Sequence, residues 1–110
     1  MSSGELGAVS APPFRAVAAL ADVQTAGKLV VDIDGVEILL LLHEERIVAL
    51  ANRCIHRDRE LSQGFLLKGR VVCPGHQWSF ALDDGFCKER DRTQPVFETR
   101  VVDGTVEVAI

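Results

Sequence analysis

The chain has 110 residues, 47% apolar and 25% charged, with a net charge of -4, which suits one globular domain and leaves no room for a second. The acidic balance argues against a nucleic-acid binder, since such proteins are normally basic. No apolar run approaches the roughly 20 residues that cross a bilayer; the longest, Val36 to Leu42, is broken by Glu37.

Residues 1–13, rich in Ser, Gly, Ala and Pro, read as a mobile leader that ends at Pro12-Pro13. The leader has an early Glu and no basic head, so no secretory signal is expected and the cytoplasm is the expected location. Phe14 to Leu20 is a candidate strand. Lys28 to Ile33 and Val36 to Leu42 flank Asp34-Gly35, a strong hairpin signal. His43-Glu44-Glu45 turns the chain into a further strand, Ile47 to Ala51. From Asn52 to Leu82 the regularity weakens. Val96 to Val102 and Thr105 to Ile110 then flank Asp103-Gly104, a second hairpin. Ala16 to Ala21 has helical propensity but is too short to count as a helix, and no segment of useful length has a helical period. The expected fold is all-β, an antiparallel sandwich or small barrel, with one domain over 14–110.

The irregular stretch, 52–82, holds the residues that carry chemistry. Cys54-x-His56 lies in RCIHRDRE, and Cys73-x-x-His76 lies in CPGHQWSF, with sixteen residues between the two pairs. Each pair can turn two donor atoms toward a common point from the tip of a loop. Three cysteines are an odd count, and a disulfide framework would not persist in a reducing cytosol, so metal binding or catalysis is the better expectation for at least some of them. Two bland readings compete. A buried Cys and a surface His could coincide by chance, although both pairs fall in turn-rich loops and not on apolar strands. Two Cys and two His could also hold structural zinc, although zinc fingers usually pair like ligands on each element.

The double motif resembles the Rieske iron–sulfur family, in which Cys-x-His and Cys-x-x-His bind a 2Fe–2S cluster. Leu61, Gly64, the CPGH turn, Trp78, Phe80, Gly85 and the hairpin from Val96 to Val108 extend the likeness over most of the chain from Phe14. The resemblance implies two cluster-binding loops, with Cys54 and Cys73 on an inner iron and His56 and His76 on an outer one. Imidazoles in place of two thiolates remove negative charge and raise the potential, to about -150 to +300 mV across Rieske centres.

Departures from the family pattern narrow the expectation. Respiratory Rieske subunits carry an extra Cys in each loop, joined as a disulfide; here Arg59 and Gly75 stand at those places. High-potential members donate hydrogen bonds from a Ser and a Tyr beyond the second His, whereas this chain has Trp78, Phe80 and no Tyr. A low potential follows. Ile55 replaces the Pro often found between the first two ligands. An oxygenase α subunit needs a second iron site, which the single remaining histidine, His43, cannot build. The resemblance therefore implies a monomeric, non-catalytic ferredoxin. It would take single electrons from a flavin-dependent ferredoxin reductase to a terminal oxygenase, docking transiently at the cluster tip. The alternatives are the small subunit of an assimilatory nitrite reductase and, outside redox chemistry, a zinc-stabilised interaction module.

Lesser signals complete the reading. Cys87 is taken as structural or incidental, Trp78 and Phe80 as core packing behind the second loop, and Gly64, Gly69 and Gly85 as turn residues. From Arg53 to Arg70 five basic residues face two acidic ones, a local balance of +3 against -7 elsewhere. Such a run is usually a solvated surface with internal pairs such as Arg57 and Glu60, but it could also orient the tip toward an acidic partner.

Overall fold

A computed structural model describes residues 13–55, 59–74, 78–88 and 90–110. The expected antiparallel all-β architecture is present. In chain order it comprises β1 (Phe14–Ala19), α1 (Leu20–Ala26), β2 (Lys28–Ile33), β3 (Val36–His43) and β4 (Arg46–Ala51). A 3-10 turn (Leu61–Gln63) leads to β5 (Phe65–Leu67), β6 (Arg70–Val72) and β7 (Ser79–Ala81). The short strands β8 (Phe86–Cys87), β9 (Arg92–Thr93) and β10 (Val96–Phe97) precede β11 (Thr99–Val102) and β12 (Thr105–Ala109).

The central sheet, ordered β10-β4-β3-β2, explains the apolar run at 36–42. Alternate residues of a strand point to opposite faces, so a strand covered on both sides reads as continuously apolar. Leu39 and Leu41 of β3, with Val48 and Leu50 of β4, pack into one core with Val71, Phe80, Leu82 and the three cysteines. Ile38 and Leu40, with Ile47 and Ala49, pack into a second core on the opposite face with Val23, Val106 and Val108. Sheet β5-β6-β7 lies over the first core, and sheet β11-β12-β1 over the second.

Both Asp-Gly hairpins form, with positive φ at Asp34, Gly35, Asp103 and Gly104. The turn at His43 also forms, but through Glu44 and Glu45, both left-handed without a glycine. Two elements differ from the sequence reading. Leu20–Ala26 is a helix: Val23 is its one buried residue, and the Gly27 N–H closes its end on the Val23 carbonyl at 2.7 Å. The expected strand at 96–102 is two strands. Val96–Phe97 pairs with β4, Thr99–Val102 pairs with β12, and the chain changes sheets at Glu98. The Thr99 hydroxyl donates to the Ile47 carbonyl at 2.8 Å just past that change. Among the described residues, no helix is long and apolar enough to cross a membrane.

Candidate metal centre

Two loops rise from the first core, and each is closed in the same way. The Cys54 N–H donates to the Arg59 carbonyl at 2.8 Å, and the Cys73 N–H donates to the Trp78 carbonyl at 2.7 Å. In both, the bond runs from a cysteine to the residue five places on. The second loop is the tip of a hairpin, with Val72 paired to Ser79 at its neck. The first is pinched by an antiparallel bridge between Arg53 and Glu60.

Cys54 and Cys73 are 4% and 1% exposed and belong to one core cluster, with their thiols within hydrogen-bonding reach of each other. Burial pushes the Cys73 thiol up to about 12; the Cys54 thiol beside it adds to the shift and the Arg59 guanidinium opposes it. Such a thiol pair, with no disulfide at either member, is a donor set suited to soft metal chemistry. His56 and His76 lie outside the described residues. His43 pairs with Arg46 at one end of the β3–β4 ladder, whereas Ile38 pairs with Ala51 at the end from which the first loop leaves. It stands at the end of the ladder opposite the first loop.

The neck of the first loop is fastened by buried amides that the sequence reading missed. Asn52, fully buried, accepts from the Ser62 N–H at 2.9 Å through its side-chain oxygen and donates to Glu37 at 3.1 Å. Arg53 reaches the other Glu37 oxygen at 3.0 Å, and these two partners, Arg53 first, hold the carboxyl below the usual range. Glu37, which interrupts the apolar run, thus anchors the loop to β3. Gln94, also fully buried, contacts Ala51, Arg53 and Ile55. No local pattern marks either amide, because each is satisfied by residues distant in sequence.

Two glycines are required by close approach. A Cβ on Gly64 would lie 1.8 Å from the Val72 carbonyl oxygen, although its φ is an ordinary -85° and not a left-handed turn value. A Cβ on Gly85, at φ +80°, would lie 2.0 Å from the Gln94 carbonyl oxygen. Behind the second loop Phe80 is fully buried, and Trp78 packs on the same core with ring centroids 6.4 Å apart. Cys87 is fully buried in that core. Of the basic run, Arg53 pairs with Glu37 and Arg70 donates to the Phe86 carbonyl at 3.4 Å, while Arg59 and Lys68 are exposed. Arg57 lies outside the described residues.

The profile of the Rieske [2Fe-2S] domain matches residues 14–102. The chain belongs to this family, and membership implies one 2Fe–2S cluster, a group that the buried thiol pair fits. The anthranilate 1,2-dioxygenase ferredoxin subunit of Burkholderia cepacia is 35% identical over 68 residues, 60% of this chain and 63% of that protein. The ferredoxin component of the naphthalene 1,2-dioxygenase system of Pseudomonas putida is 34% identical over 67 residues, 61% of this chain and 64% of that protein. The chain thus spans a little under two thirds of the length of these relatives. A chain in the complex of reduced oxygenase and oxidized ferredoxin in carbazole 1,9a-dioxygenase superposes with a TM-score of 0.77 at 26% identity. That match covers 87% of this chain and 92% of the other. The ferredoxin of carbazole 1,9a-dioxygenase from Nocardioides aromaticivorans gives 0.76 at 22% identity, covering 87% and 96%, and shares the fold. These findings lend no support to the nitrite reductase or zinc alternatives.

Proposed function

We propose that this chain is a low-potential Rieske ferredoxin, an electron carrier with no catalytic activity of its own, passing single electrons from a flavin-dependent ferredoxin reductase to a terminal oxygenase. The observation that carries the reading is the pair of matching loops with the thiols of Cys54 and Cys73 side by side at their base. In this reading Cys54 and Cys73 hold the inner iron as thiolates, and His56 and His76 hold the outer iron as neutral imidazoles. When bound, the cluster supplies a one-electron couple. The chain's own part is to fix the loops, exclude water from the thiolate side and leave the tip open. Trp78 and Phe80 give the sulfurs no hydroxyl donor, which favours the low end of the Rieske range. The ferredoxin names of the two relatives and the oxygenase complex support the choice of partners. A cytoplasmic monomer, with the domain over 14–110 and a leader over 1–13, completes the reading.

An optically monitored redox titration of the anaerobically purified protein tests it. A red-brown sample should titrate as one electron near or below about -100 mV. A clearly positive potential, or a sample that stays colourless after iron and sulfide are supplied under reducing conditions, would overturn it.

Docking at the tip is expected to be small and transient, as redox encounters usually are. Arg59, exposed in the first loop, would meet an acidic partner surface, whereas Lys68 stands at the opposite end of the β5–β6 hairpin, near His43. Replacing Arg57 and Arg59 together by Glu should slow electron transfer to the oxygenase about tenfold at low salt, with the difference shrinking as salt rises. An unchanged rate with an unchanged salt dependence would remove the steering role.

A further inference from the structure

Gln94 is 0% exposed, and all of its side-chain hydrogen-bonding groups are directed at one segment. Its Nε2 donates to the carbonyls of Ala51 at 2.8 Å and Arg53 at 2.7 Å, and its Oε1 accepts from the Ile55 N–H at 2.9 Å. Two carbonyls need donors and one N–H needs an acceptor, so only this orientation of the amide satisfies all three. The partners are alternate residues, one edge of the extended segment that enters the first loop. A single side chain thus does for this edge what a neighbouring strand would otherwise do. Gln94 is itself fixed from behind: its N–H donates to the Gly85 carbonyl at 2.8 Å, and its own carbonyl occupies the space that a Cβ on Gly85 would need.

Ile55 stands between Cys54 and His56, so its N–H belongs to the backbone of the first ligand loop. Hydrogen bonds to cluster sulfurs stabilise the reduced state and raise the potential. A donor engaged by Gln94 cannot serve that purpose. We propose that Gln94 is a positioning residue that fixes the first ligand loop and, by engaging the Ile55 N–H, withholds this donor from the cluster and keeps the potential low. The proposal rests on Cys54 and His56 being ligands.

The test is a redox titration, with electron paramagnetic resonance spectra and cluster-loss rates, on cluster-bearing wild type, Gln94→Met and Gln94→Glu. Methionine removes the donors and the acceptor in similar volume. Glutamate keeps an acceptor for Ile55 but cannot make both donations to Ala51 and Arg53. Both variants should lose the cluster faster than wild type. A buried glutamate adds negative charge that lowers the potential whether or not Ile55 is engaged, so the uncharged Gln94→Met decides the link and Gln94→Glu reports only on cluster loss. The potential should rise in Gln94→Met, and an unchanged or lower value would overturn the proposal. Should Gln94→Met hold no cluster, Gln94→Asn, an uncharged amide too short to reach all three partners, decides in its place: a rise supports the link to Ile55, and an unchanged or lower value overturns it. A wild type without a Rieske spectrum would instead refute the ligand assignment, so the two failures are distinguishable.

Discussion

Cys73→Ser should give a folded protein with almost no iron, while Cys87→Ala should keep the two irons of the cluster and its colour. Both cysteines are buried in the same core, and burial alone does not separate them. Their surroundings do. Cys73 heads a closed loop and its thiol meets that of Cys54, whereas Cys87 lies within the short strand β8, opposite Arg92 of β9. A serine hydroxyl is a poor substitute for a thiolate on iron, and burying it unpaired costs about 1–3 kcal/mol. Trimming Cys87 to alanine removes one heavy atom from the core and should cost about 1 kcal/mol. Iron and sulfide analysis with the visible spectrum reads both. A red Cys73→Ser beside a colourless Cys87→Ala would reverse the assignment.

Gly64→Ala should be among the most damaging substitutions outside the proposed ligands. The new methyl would lie 1.8 Å from the Val72 carbonyl oxygen, and it is backbone, not a flexible side chain, that stands in the way. The 3-10 turn after the first loop would have to part from β6, the strand that carries the second. Overpacking of this kind costs about 3 kcal/mol or more, which corresponds to a fall of roughly 12 °C or more in Tm for a domain of this size. Cluster loading should fall with it, because Cys54 precedes that turn in the first loop and Cys73 directly follows β6. Thermal melts of wild type and variant, followed by far-ultraviolet circular dichroism, give the answer. A Tm within about 2 °C of wild type, a difference of under about 0.5 kcal/mol, would show that the turn can move freely.

The features legible in the sequence are those encoded locally. Asp34-Gly35 and Asp103-Gly104 set their hairpins through the conformations that the turn demands, and the apolar run at 36–42 reads as a strand beside its turn. Cys54 and Cys73 were legible as partners because loop tips need only a short motif each. The helix at Leu20–Ala26 was hidden because seven residues with one buried side chain, Val23, leave no period to detect. The change of sheets at Glu98 was hidden because Val96 to Val102 has the same character on both sides of it. Asn52, Gln94 and Glu37 were hidden for another reason. A buried polar side chain reveals its purpose only when its partner is placed, and the Ile55 partner of Gln94 lies 39 residues away.

The passage of one extended segment from β10 into β11 has a mechanical consequence. Because β10 borders the sheet that backs the cysteine-bearing core, and β11 belongs to the sheet over the opposite core, neither layer can peel away without pulling on the other. The central sheet and the sheet over its second core should therefore melt together as one cooperative unit.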